Sequence, residues 1–250
     1  MSMTAPLPHP HRISRQLTVS VDPSVNVRPV VKGAIQEAAH TLTEAYNDHG
    51  VLAWCCRGVQ DNNRDVYFKF FKTILNAATL SSRDYVVQAD GCKGVLVWSC
   101  NGSTGFGRPS VTKLAKMIGW MAALRAVMQY KPWQKTWRKQ VMAGVTDYLV
   151  IDYLGVLEPE RRKGNATALV QHLKEKANSA HLPILVEVMA QHEGAITFFK
   201  QQGFQQIVTH GLCDHDDLPV AFMVREPNVN HGPAMPLRLK PGRHDSDSTI

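Results

Sequence analysis

The chain has 250 residues, of which 44% are hydrophobic and 20% charged, and a formal net charge of +7. Those values describe a globular chain with core enough to stand without staples, and they exclude a low-complexity polymer or a disulfide miniprotein. The positive charge suits anionic ligands, but it is not clustered enough to indicate nucleic acid as a partner.

Five cysteines, odd in number and without a CxxC pair, predict reduced thiols and a cytoplasmic protein. The opening MSMTAPLPHPHRISRQ carries no apolar stretch of signal-peptide length. The longest central apolar run, Met117 to Leu124, lies between Lys116 and Arg125 and is far short of the ~20 residues of a span. No membrane partner is expected.

Residues 1–14 are rich in Pro and His and read as a disordered tail, followed by a domain over 15–227 and a second polar tail over 228–250. Leu17 to Val21 alternates as a short strand, and Asp22, Pro23, Ser24 and Asn26 make a turn. Val30 to Tyr46 has helical periodicity, with Gly50 beyond its end. Val51 to Gly58 is short and apolar. Asn62 and Asn63 are candidate caps for a helix over Arg64 to Leu80, in which Tyr67, Phe70, Phe71 and Ile74 can share a face.

Tyr85 to Gln88 and Gly94 to Cys100 read as strands joined at Asp90-Gly91. The glycine-rich Asn101 to Pro109 has no GK[ST] and no P-loop spacing. Ser110 to Met142 is helical. It carries a core stripe of Leu114, Met117, Ile118, Met121, Leu124 and Met128, a break at Pro132, and a basic second half with Trp133 and Trp137. Tyr148 to Val156 is a strand. Leu182 to Met189 is another, able to lie parallel to it through a right-handed crossover. Glu193 to Gln202 is a short helix ended by Gly203, and Phe204 to Thr209 with Val220 to Arg225 reads as a hairpin. His210, Cys213 and His215 match no standard zinc spacing, so no metal is expected.

Between the strand ending at Val156 and the helix beginning near Thr167 lies Glu160-Arg161-Arg162-Lys163-Gly164-Asn165-Ala166. A loop that opens a helix leaves backbone N–H groups unpaired and places the positive end of the dipole there. Three adjacent cations would oppose that dipole unless an anion sits among them. The chemistry is that of a phosphate or pyrophosphate cradle, with Gly164 allowing close approach and Ala166 keeping the first turn open.

Arg161-x-x-Gly164-x-Ala166, after Leu154-Gly155-Val156, resembles the phosphate loop of the GNAT superfamily of acyl-CoA-dependent N-acetyltransferases. Ala195 to Phe204, AITFFKQQGF, is similar to that family's later segment, in which an Asn, an Ala and a Tyr precede a Gly-Phe pair. The helical excursion before the central strand resembles the puromycin-acetyltransferase-like branch. The resemblance implies an α+β (α/β/α) fold with a mixed, splayed sheet, helices on both faces and a helical insertion. It implies acetyl-CoA as co-substrate and an amine as acceptor; the aromatic helix Tyr67 to Phe71 and the long helical excursion suggest an enclosed, partly apolar pocket, which favours a small-molecule amine. A non-catalytic acyl-CoA-binding or regulatory protein, or a peptide or protein acetyltransferase, is the alternative.

By the same resemblance, backbone groups at Leu154, Gly155 and Val156 hold the pantetheine arm and thioester carbonyl. Arg161, Arg162, Lys163, Gly164, Asn165, Ala166 and Thr167 hold the pyrophosphate. His192 stands at the Asn position near the cofactor arm, and Phe199 where many members have the tyrosine that protonates the departing thiolate. Arg162 replaces a usual glycine.

Acyl transfer to an amine needs a route for a proton off nitrogen, since a free alkylammonium has a pKa of about 10. Asp152, expected by alternation to share a strand face with Leu154 and Val156, is a candidate base. Glu187 in the neighbouring strand and His192 are the others, and Tyr153 is expected on the opposite, core face.

Overall fold

The computed structural model describes residues 25–57, 63–101, 112, 115–116, 119–213 and 215–228. The expected strand at Leu17 to Val21, the glycine-rich loop around Phe106, and most of both tails lie outside them.

The β-branched segments pair into one seven-stranded sheet in the order β1-β2-β3-β4-β5-β7-β6. The strands are β1 Val27–Pro29, β2 Val86–Ala89, β3 Gly94–Cys100, β4 Leu149–Val156, β5 Ile184–Met189, β6 Gln205–Leu212 and β7 His215–Arg225. Every pairing is antiparallel except β4 with β5. The helix between those two, α6 (Asn165–Ala180), is the crossover that a parallel pair requires. Asp90 and Gly91 between β2 and β3 both take the left-handed conformation that a tight turn needs, at φ 47° and 71°.

Helices cover both faces. On one, α1 (Ile35–Ala45) and α3 (Asn63–Ser81) pack over β2, β3 and the outer part of β4, with Leu42, Tyr67, Phe71 and Leu75 fully buried. The same face continues over β5–β7 under α2 (Gly50–Cys55) and α5 (Lys131–Val141), through Trp54, Val141 and Phe222. On the other face α6 inserts Leu169, Leu173 and Ala177 against Leu96, Leu149 and Ile184, and α7 (Glu193–Gln201) adds Phe199. This is the expected α+β architecture, a mixed sheet between two helical layers.

The helical insertion departs from expectation in two ways. Pro132 does not break it. The chain runs from α4 (Trp120–Leu124) through a π-helical turn, Arg125–Tyr130, straight into α5, with Pro132 in the first turn of α5. A π-turn has i→i+5 geometry, which removes the demand for the N–H that proline lacks. Nor is the stripe core where it is described. Met121 and Met128 are 72% and 69% exposed, while Ala122 and Ala123 are buried. Small residues let this helix approach the core closely, so the bulky face is turned out. Leu114, Met117 and Ile118 lie outside the described residues.

Residues Gly50 to Cys55, read as the end of one helix and an apolar segment, form α2 instead. All five thiols are free. Among the described residues no helix is long and apolar enough to cross a membrane.

Candidate active site

Strands β4 and β5 pair only over Leu149–Ile151 and Ile184–Val186, and then part. A β-bulge accompanies the parting. Val97 pairs with Tyr153 and Trp98 with Ile151, so Asp152 is the extra residue on β4. A bulge shifts the alternation of side chains by one. Asp152 and Tyr153 therefore both face α1, α3 and α5, and Leu154 faces α6 with the Leu169 cluster. The expected grouping of Asp152 with Leu154 and Val156, and of Tyr153 on the opposite face, is corrected by that one inserted residue.

Arg138 from α5 reaches into the opening. Its Nε lies 2.5 Å from Glu187 Oε1, and its Nη2 lies 4.0 Å from Asp152 Oδ1. Gln134 Nε2 donates to Glu187 Oε2 at 2.7 Å, and the Tyr130 hydroxyl is 3.5 Å from the same oxygen. Burial disfavours the Arg138 charge, but Glu187 and then Asp152 outweigh it and hold the guanidinium protonated beyond its ordinary range. Arg138 comes from the basic second half of the helical insertion, which was not expected to reach the site. The missed signal was spacing, since Gln134 and Arg138 recur at i, i+4 beside Trp133 and Trp137. Trp133 packs on Phe222 and Trp137 stacks on His210, which turns this face of α5 inward.

Beyond the parting of β4 and β5, a cavity of about 1110 Å³ lies between the end of α1, the loop after β4, and the start of α7; Asp152, Glu187 and Arg138 are not among the residues that line it. Val156, Arg161, Arg162, Gly164, Asn165, Ala166, Thr167 and His192 all line it. The loop is shaped by two left-handed residues, Arg162 at φ 63° and Gly164 at φ 88°. Gly164 is the N-cap of α6 and supplies no side-chain cap, and the first helical hydrogen bond runs from Ala168 N–H to its carbonyl. The amides of Asn165, Ala166 and Thr167 consequently have no partner within the helix. The buried Asn165 anchors the turn from Nδ2 to the Glu160 carbonyl at 3.2 Å, and its Oδ1 has no partner among the described residues. No ion pair among the described residues engages Arg161 or Arg162. Lys163 turns aside to Glu160 at 3.2 Å.

Among the described residues this donor set fits a pyrophosphate: three amides at a helix N-terminus without a helical partner, two guanidinium groups outside any ion pair, and a Gly164 at which a Cβ would meet nothing nearer than Val25 Cγ2 at 3.9 Å. The residues of the phosphate loop fit coenzyme A, of which a pyrophosphate is part.

Several expected positions are placed differently. Gly155 turns its Cα toward α1, where a Cβ would stand 2.8 Å from the Ala45 Cβ, so it serves helix packing. The Leu154 N–H, on the open edge of β4, donates to the Tyr46 hydroxyl at 3.1 Å. Phe199 does not reach the cavity. Its ring is buried at 5.2 Å from Phe198 and from Phe204, and Phe198 lines the cavity instead. Glu187 stands at the opening, and His192 caps α7 facing His49, with ring centroids 5.9 Å apart.

Tyr46 and His49 were not anticipated as site residues. They sit just past the last turn of α1, and only its docking over Gly155 brings them to β4. Burial, followed by His192, lowers the His49 pKa to about 4, so its ring is neutral at pH 7. Burial pushes Tyr46 up to about 12 against the Leu154 N–H, with Asp152 adding to the rise.

Residues 119–204 match the model of the acetyltransferase (GNAT) family. No curated protein matches the chain in sequence. Among solved structures, it is similar to a yellow fever mosquito (Aedes aegypti) protein assigned as an arylalkylamine N-acetyltransferase, with 12% identity and a TM-score of 0.57 over 81% of this chain and 87% of that one. It is also similar to the histone acetyltransferase HPA2 and related acetyltransferase of Corynebacterium glutamicum, with 17% identity and a TM-score of 0.52 over 86% of this chain and 99% of that one. A mosquito arylalkylamine N-acetyltransferase like 5b has 13% identity and a TM-score of 0.52, covering 81% and 100% of the two chains. At such identities the structures speak for the fold alone. By its fold the chain is similar to the GNAT acetyltransferases, and it matches that family's model over residues 119–204.

Proposed function

We propose that the protein moves an acetyl group from acetyl-CoA to the amine of a small molecule, by direct attack of nitrogen on the thioester. The observation that carries this reading is the uncapped start of α6, which opens with Arg161 and Arg162 onto the same cavity as Val156, beside the parting of β4 and β5. Acetyl-CoA supplies an activated acyl group; the chain's own residues bind, orient and move protons.

Arg161, Arg162 and the amides of Asn165 to Thr167 hold the pyrophosphate, and the backbone along Leu154, Gly155 and Val156 guides the arm toward the opening. Asp152 is the base, acting directly or through water. Glu187 is a poorer choice, because Arg138, Gln134 and Tyr130 already take up its carboxylate. It anchors Arg138, which in turn fixes Asp152. With two carboxylates and one guanidinium the cluster carries net negative charge, which attracts a cationic amine toward the parting of β4 and β5. His192 is placed to contact the cofactor arm.

The test is a thiol-release screen over small primary amines with acetyl-CoA, run for the wild type and for Asp152→Asn. Turnover of at least one amine, lowered roughly 10²-fold or more in the variant, is the expected result. Acetyl-CoA binding with no turnover of any amine overturns the reading in favour of a regulatory protein.

A further inference from the structure

The helical insertion carries cations without counterions. Between Asp90 and Asp147 the sequence holds no acidic residue. Two of the basic side chains there are taken up by the protein itself. Arg138 reaches Glu187 and Asp152, and Arg125 donates to the Trp54 and Cys55 carbonyls at 2.8 Å. Lys116, Lys135 and Lys139 are exposed, and no ion pair among the described residues engages them.

The same insertion turns its bulky apolar side chains outward. Ala122 and Ala123 face the core, while Trp120, 61% exposed, stands outside with Met121, Leu124 and Met128. Of the six large hydrophobic side chains exposed among the described residues, these are four, so the exposure is concentrated on one helix. A surface that meets only water rarely gathers such groups. The helix runs on through the π-turn into α5, where Pro132, Lys135 and Lys139 are exposed in turn. Residues three and four apart share one side of a helix. The outer side is therefore apolar over its first half and cationic over its second.

We propose that this face of the insertion is a docking surface for an anionic lipid bilayer. Trp120, Met121, Leu124 and Met128 enter the boundary between headgroups and acyl chains, the layer that an amphipathic indole favours. Lys116, Lys135 and Lys139 stay at headgroup level, drawn by the negative surface potential. A helix that lies on a membrane does not have to be long enough to span it, so the sequence expectation of no membrane partner, which rested on a span, does not bear on this face. Nucleic acid fits less well, because Met121, Leu124 and Met128 offer a phosphodiester chain nothing and Trp120 alone offers a base a stacking partner. A second copy fits less well, because a two-fold contact over the apolar half brings two sets of lysines together with no carboxylate on the insertion to answer them. The proposal does not rest on the acetyl-transfer reading, since none of these side chains lines the cavity.

The test is flotation of the full chain with vesicles of phosphatidylcholine alone and of phosphatidylcholine with about 30% phosphatidylserine, at about 0.05 M and about 0.5 M salt. The wild type is compared with Trp120→Ser combined with Met128→Ser, with Lys135→Gln combined with Lys139→Gln, and with Trp120→Phe for fluorescence. All of these change exposed side chains, and thermal unfolding checks that each variant is folded. We expect the wild type to bind the serine-containing vesicles about tenfold or more tightly than phosphatidylcholine, and more weakly at high salt. Either double variant should lose about tenfold or more in affinity, and the blue shift of tryptophan emission on binding should vanish in Trp120→Phe. No binding by the wild type, equal binding to both vesicles, or binding that survives both double variants overturns the proposal. Binding of duplex DNA that displaces the vesicles and depends on the lysines but not on Trp120 and Met128 overturns it in favour of nucleic acid. A dimer in sedimentation that Trp120→Ser with Met128→Ser dissociates overturns it in favour of a second copy.

Discussion

Asp152 on β4 and Glu187 on β5 stand opposite each other at the first register position where the two strands no longer pair. Two carboxylates so placed repel, and Arg138 is the cation that lets them share the opening. The site is thus held open and held together by one side chain from the helical insertion.

Replacing that side chain should be costly. Arg138→Met leaves Glu187, 10% exposed at its side chain, without its guanidinium partner. Loss of one member of a buried pair costs about 3–5 kcal/mol, whereas removing both members is often close to neutral. Urea denaturation should therefore show a large loss for Arg138→Met and a smaller one for Arg138→Met with Glu187→Met. Equal losses would mean that the pair is not energetically coupled.

Gly155 sets how closely α1 lies on β4. A Cβ there would meet the Ala45 Cβ at 2.8 Å and the Leu42 Cδ2 at 3.0 Å. Gly155→Ala should cost about 1–3 kcal/mol by overpacking. Because α1 carries Tyr46, the same change should speed exchange of the Leu154 amide, an effect that global destabilisation corrected for stability would not produce.

Arg162 occupies a left-handed conformation at φ 63°. A non-glycine residue there costs roughly 1–2 kcal/mol, part of which glycine returns as lost chain entropy. Arg162→Gly should raise stability by about 0.5–1 kcal/mol and weaken acetyl-CoA binding a few-fold at low salt, less at high salt.

Much of the frame was legible because it follows from local rules. β3 matches its expected span, Gly94–Cys100, and β4, β5 and α7 match to within about two residues, as alternation, β-branching and the Gly203 stop dictate. The loop between β4 and α6 was legible for the same reason, with Gly164 at the start of the helix. The placement of Asp152, Tyr46, His49 and Arg138 was not. Asp152 changed face because a bulge depends on the pairing of β3 with β4, which one strand's pattern does not contain. Tyr46, His49 and Arg138 reach the site only by tertiary docking, across sequence separations that periodicity cannot see. Phe199 was assigned by its place in a motif, while packing against Phe204 decided where its ring lies.

His49 should mark acid stability. Its folded pKa is depressed to about 4, from an ordinary 6.5, by burial and then by His192. Between those values the unfolded chain binds a proton that the folded chain refuses, so stability falls as pH drops from 6.5 toward 4 and levels off below. In His49→Gln the loss of stability across that window should be smaller than in the wild type, by denaturant titration at each pH. An unchanged profile would place the histidine in solvent.

The most direct test of the whole account is acetyl-CoA binding by calorimetry to the wild type and to Gly164→Trp, with thermal unfolding to confirm that both are folded. Gly164 is left-handed, caps α6 and lines the cavity. An indole there blocks the amides of Asn165, Ala166 and Thr167. The account predicts binding by the wild type and none detectable by the folded variant; equal binding by both would contradict it.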